Sequence, residues 1–176
     1  MREATLLTLA AVLTLFGCAR KATTSSAKWP AEAYGNLTEA EMAQFIKILP
    51  TFSAAAKAAA WKPPAKGNEG AVGLLAPLVE GMNVAGMDES LKKVGSDWKS
   101  VRLILYKIMA AHTASAVDAW PPGFLDQVKK DTSAGAKKAY PDMLNIKAVC
   151  ASVPAANKEI VKNHEQDLMP LRTLNR

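Results

Sequence analysis

The stretch "TEAEMAQFIKILPTF", residues 38–52, decides the fold class. Thr38 and Glu41 stand three residues apart and form a capping box, in which the hydroxyl accepts from a free backbone N–H and the carboxylate reaches back to the cap residue. Behind this start signal Met42, Phe45, Ile46, Leu49 and Phe52 recur at spacings of three and four, which lines one face of a helix with apolar side chains. The following "SAAAKAAAW", residues 53–61, extends the helix with the residue of highest helix propensity. Pro50 lacks a donor and is expected to kink it, and Trp61-Lys62-Pro63-Pro64 is expected to end it.

Outward from this helix the same period continues. Val72, Leu75, Val79 and Met82 suggest a second helical segment over 71–83, and "MDESLKKV", residues 87–94, a turn or two capped by Asp88. A long helix is expected over 97–119 with Ser96 as its cap. Trp98, Val101, Leu105, Ile108, His112 and Ala116 form a near-heptad seam there, widened by Ile104, Met109 and Ala111. A stripe of that width implies several neighbours, so this helix should be central. Phe124, Leu125 and Val128 suggest a short helix after Pro121-Pro122. Met143, Ile146, Val149 and Cys150 suggest another, and Val153, Ile160, Val161, His164 and Leu168 a last one after Ser152. No segment alternates in the manner of a strand hairpin. The fold class is all-α, an irregular bundle of about five or six helices over residues 36–176.

The N-terminal region reads differently. "ATLLTLAAVLTLFG", residues 4–17, is apolar but for its threonines, and at about 1.5 Å per residue it is roughly 20 Å long, too short for a bilayer core of about 30 Å. Its layout is that of a secretory signal, residues 1–17, removed from the mature protein. Leu15, Phe16, Gly17 and Cys18 resemble the lipobox of bacterial lipoproteins, with Phe16 where that family has a smaller residue. The resemblance implies acyl chains on Cys18 as the membrane anchor. Ala19 follows the cysteine where an aspartate would imply retention at the inner membrane, so the implied address is the outer membrane, facing the periplasm. "ARKATTSSAKWPAEAYG", residues 19–35, has no apolar period and is expected to serve with Cys18 as a flexible tether.

The chain carries 22 Lys and Arg against 16 Asp and Glu, a net charge of +6, and loss of residues 1–17 removes one of each sign. The excess lies in scattered pairs such as Lys92/Lys93, Lys129/Lys130 and Lys137/Lys138, so no concentrated basic face argues for nucleic acid. With Cys18 acylated, Cys150 has no partner, and its apolar neighbours in "LNIKAVCASV" point to a buried thiol.

Candidate chemistry is sparse. His112 and His164 both fall on apolar stripes, and with Met109 they are the residues from which a bundle would build a metal or haem site. The sequence has no Cys-x-x-Cys-His, no His-Glu-x-x-His and no Glu-x-x-His, so no metal or cofactor is expected. Neither a Gly-x-Ser-x-Gly elbow nor a Gly-rich phosphate loop is present, and no enzyme is expected. Carboxylates such as Glu39, Glu41, Asp126 and Asp131 suit capping and solubility.

The distinctive pattern is a near-repetition. "AAAWKPP", residues 58–64, and "VDAWPPG", residues 117–123, are both helix ends carrying Trp and then Pro-Pro, and "KWP" at 28–30 echoes them. If the helices over 38–61, 71–83 and 97–119 alternate in direction, Trp61, Pro63 and Pro64 meet Trp120, Pro121 and Pro122 at one pole. An aromatic beside rigid proline suits a partner surface. The expected function is therefore binding or structural, toward an envelope protein or cell-wall polymer. The alternative is carriage of a small apolar ligand among Met42, Met82, Met87, Met109, Met143 and Met169.

Overall fold

Helix α1, Glu39–Ala58, starts where the capping box puts it. In the computed structural model, which describes residues 30–58 and 84–172, the Thr38 hydroxyl accepts from Glu41 N–H at 3.1 Å. The Glu41 carboxylate accepts in turn from Thr38 N–H at 2.9 Å. Met42, Phe45, Ile48, Leu49 and Phe52 are buried along the helix, while Ile46 is half-buried. Pro50 lies inside α1 and is exposed. Its cost of about 3 kcal/mol in a helix interior is outweighed by five buried side chains contributing about 1.5–3 kcal/mol each, which is why the helix continues through it.

Residues 59–83 lie outside the described residues, and with them the expected helix over 71–83. Helix α2, Val84–Lys92, is longer than the turn or two expected there. Asp88 falls inside it and does not cap it. Its carboxylate accepts from Trp98 N–H at 3.0 Å and pairs with Lys92 at 2.8 Å, so it ties α2 to the next helix. The α2 end is closed by Gly95, whose φ of 75° costs a side-chain-free residue little, and by Ser96 N–H donating to the Leu91 carbonyl at 3.0 Å.

Helix α3, Trp98–Asp118, is capped by Asp97, one residue after the expected Ser96; the Asp97 carboxylate accepts from Ser100 N–H at 2.9 Å. It is the central element, packed against α1, α2 and three elements still to come. The expected seam holds at Trp98, Val101, Leu105 and Ile108 and fails at His112 and Ala116, both exposed. At about 100° per residue His112 still lies within about 20° of Val101, so the period is intact. The buried face changes to Ala110, Ala111, Ala114 and Val117 because the second half of α3 packs against different neighbours from the first. Trp98 stacks on Phe52 with ring centroids 6.1 Å apart, joining α3 to α1.

Helices α4, Phe124–Lys130, and α5, Ala134–Cys150, pack on each other, and α5 packs on α3. Ser133 caps α5, which is longer than its apolar stripe suggested and runs through Pro141. Helix α6, Ala155–Asn163, begins after Pro154, not Ser152, and ends before Leu168. As the N-cap, Pro154 disfavours helical backbone at Val153, so the helix cannot begin earlier and Pro154 sets the boundary. A last turn, α7, Met169–Arg172, packs on α1.

The tether was expected to reach Gly35. Its final part instead belongs to the packed domain: Ala31–Tyr34 is a 3-10 helix lying on α3, with Ala33 buried. The described residues form an all-α bundle of seven α-helices and contain no strand. No helix among them is long and apolar enough to cross a membrane.

Candidate binding site

The expected Trp-Pro-Pro pole can be followed at its second half, since Trp61, Pro63 and Pro64 lie outside the described residues. After α3 the chain makes a hydrogen-bonded turn in which Phe124 N–H donates to the Pro121 carbonyl at 3.0 Å. Pro122 supplies the fixed second position and Gly123, at φ 75° and ψ 4°, the left-handed third, which is the residue pattern of a type II turn. The turn folds Phe124 back beneath Trp120, their ring centroids 5.2 Å apart at 54°. Phe124 is buried, Trp120 half-buried, and Pro121 and Pro122 exposed. The local account of this motif, proline ending a helix and tryptophan folding onto its last turn, therefore describes most of what the residues do.

They also leave a hollow. A cleft of about 500 Å³ has one wall made by Val117–Asp126 and the other by α5. The α5 wall is a helical stripe, Tyr140, Leu144 and Lys147, continued by Ala151 at its C-cap, with Cys150 beneath it. Sequence reading missed this wall although its spacing of three and four is visible, because Tyr140 and Lys147 are polar enough to pass for solvated positions. Leu144 is one of three large apolar side chains exposed among the described residues.

Charge in the cleft is mixed. Asp118 is paired with Lys158 of α6 at 2.7 Å. Lys147 and Asp126 also line the cleft, and neither takes part in an ion pair among the described residues. Cys150 is buried and free, as expected, and burial first, then the nearby Asp118 charge, push its thiol up to about 11 against a smaller opposing effect of Lys158. At neutral pH it is a protonated, poorly nucleophilic floor to the cleft.

The histidines do not come together as a ligand pair. His112 is exposed on α3, and both ring nitrogens of His164 face carboxylates, Nε2 to Glu39 and Nδ1 to Asp167, each at 3.0 Å. Three His, Cys, Asp or Glu side chains are nowhere grouped for a metal among the described residues. Of the methionines, Met42, Met87 and Met143 are buried, Met109 is half-buried, Met169 is exposed, and none of these lines the cleft; Met82 lies outside the described residues. Cys18 precedes the described residues.

No family model matches the chain, and neither curated proteins nor solved structures give a significant match.

Proposed function

We propose that this chain is a periplasm-facing, lipid-anchored helical module of the cell envelope, held at the outer membrane by acyl chains on Cys18, whose cleft beside Trp120 docks a segment of an envelope protein. The binding part rests on one observation, the cleft of about 500 Å³ formed by the Pro121-Pro122-Gly123 turn and α5. That size lies within the range of about 300–1,000 Å³ typical of ligand sites. Trp120 and Tyr140 provide large rigid rings, Leu144 an exposed apolar contact, and Lys147 and Asp126 charges of opposite sign. A peptide segment carries apolar side chains and both charges, and so uses every part of this lining. A purely apolar ligand uses neither charge, which is why carriage of such a molecule is the less supported reading. The anchor rests on the resemblance of Leu15–Cys18 to a lipobox; one acyl chain binds a bilayer marginally and several bind it stably, at about 0.8 kcal/mol per buried methylene.

Two measurements test the two parts separately. Mass analysis of protein from its own cells should find the chain beginning at an acylated Cys18, and an unmodified thiol or a retained leader there would overturn the anchor. A photocrosslinking residue at Leu144 should capture a discrete partner in intact cells, whereas one at Val94, exposed and outside the cleft, should not. Equal labelling from both positions would remove the cleft as a docking site, and crosslinks to cell-wall polymer alone would overturn a protein as its occupant.

A further inference from the structure

Helix α6 carries Asn157 in its first turn and is capped seven residues later by His164. Both reach the same short piece of chain, where the N-terminal segment joins α1. Asn157 is fully buried; its side-chain oxygen accepts from Leu37 N–H and its amide donates to the Gly35 carbonyl, both at 2.8 Å. His164 reaches Glu39, the first residue of α1, and also Asp167 in the turn that leads to α7.

The second pin has a chemical requirement the first lacks. A carboxylate only accepts hydrogen bonds, and a neutral imidazole has one N–H and one bare lone pair. With a carboxylate oxygen 3.0 Å from each ring nitrogen, the neutral ring would set a lone pair against an anion on one side. The imidazolium, with two N–H groups, satisfies both.

We infer that His164 is a proton-operated clasp: protonated, it fastens the C-terminal turn and α6 to the start of α1, and on losing its proton it releases one side while Asn157 keeps hold of Gly35 and Leu37. Around the ring, α1 supplies Glu39 and the turn after α6 supplies Asp167, and these are the charges that act on it. Its position as the last cap of α6 adds the carbonyl end of that helix, which also favours a cation. The hydrogen bond to Asp167, then that to Glu39, hold its proton above the usual imidazole range against a small opposing effect of burial. A raised value stabilises the clasped form fully below the unfolded value near 6.5 and loses that stabilisation as pH rises through the folded value. What comes loose is defined: Leu168 N–H donates to the His164 carbonyl at 3.1 Å, Leu171 N–H donates to the Leu168 carbonyl at 3.0 Å, and Leu168 is buried against the core.

In the purified full chain, NMR titration of the imidazoles from pH 5.5 to 9, with His112→Gln for assignment, should find His164 titrating above the free-imidazole value. Amide exchange at Leu168 and Leu171, corrected for its intrinsic pH dependence, should rise at least about threefold across that titration. Glu39→Gln and Asp167→Asn should each lower the proton affinity of His164 by about threefold or more, and His164→Gln should abolish the pH dependence of exchange. A His164 midpoint at or below the free value in the unmodified chain, which needs no variant to fold, overturns the inference. So does corrected exchange that ignores the titration.

Discussion

Replacing Asn157 with alanine removes two 2.8 Å hydrogen bonds that fasten Gly35 and Leu37 to α6 across more than a hundred residues of sequence. The two acceptor and donor groups left behind are not equivalent. The bond from Leu37 N–H is buried and Leu37 is 3% exposed, so water cannot replace the lost oxygen; an unpaired buried donor costs about 1–3 kcal/mol. Gly35 is half-buried, water can reach its carbonyl, and only the ordinary net value of about 1 kcal/mol is lost there. The expected destabilisation is about 2–4 kcal/mol, which for a domain of this size lowers the thermal midpoint by roughly 10 °C. Urea titration followed by circular dichroism measures it. Asn157→Asp retains the acceptor for Leu37 but not the donor for Gly35, and it buries a charge, so it should be no better than alanine. If Asn157→Ala unfolds within about 0.5 kcal/mol of the parent chain, the two bonds carry no net stabilisation and the argument from buried unpaired groups is wrong for this site.

Other perturbations have definite outcomes. Glu41 lies 2.6 Å from the ammonium of Lys107, and although burial tends to raise its carboxyl, the hydrogen bonds from Lys107 and Thr38 prevail and hold it below 4.5. Its stabilisation is therefore present above pH 4.5 and lost as pH falls through the lower folded value; Glu41→Gln should cost about 1 kcal/mol at pH 7 and flatten the acid limb of the stability curve. The Cys150 thiol, pushed up to about 11, should resist iodoacetamide at pH 8 in a Cys18→Ser chain and react at the ordinary rate in urea. Rapid alkylation of the folded chain would show the cleft floor to be open. Gly123→Ala meets open space but forces a side chain to φ 75°, at about 1–2 kcal/mol, and should also move the Trp120 emission spectrum because Phe124 is re-aimed.

The sequence by itself determined the helical class, the start of α1 and most of the core along it, Met42, Phe45, Leu49 and Phe52 but not Ile48, because a capping box and a 3.6-residue period are local properties that a chain carries before it folds. It also indicated that α3 would be central and Cys150 buried. Local signals were weakest at boundaries: adjacent Ser96 and Asp97 both make good caps, and the stripe from Val153 to Leu168 overran both ends of α6, which starts after Pro154 and stops at Asn163. The pattern failed outright where period alone was used to assign a face, at His112 and Ala116, since the neighbours that pack on each half of α3 decide which face is buried. Only the tertiary structure paired Asn157 with Gly35 and Leu37, His164 with Glu39, and Trp120 with the Tyr140–Lys147 wall of α5. These partners lie far apart along the chain and no local signal links them, so packed helices alone bring them together; for the polar ones, a buried unpaired group would be costly and a paired one is kept.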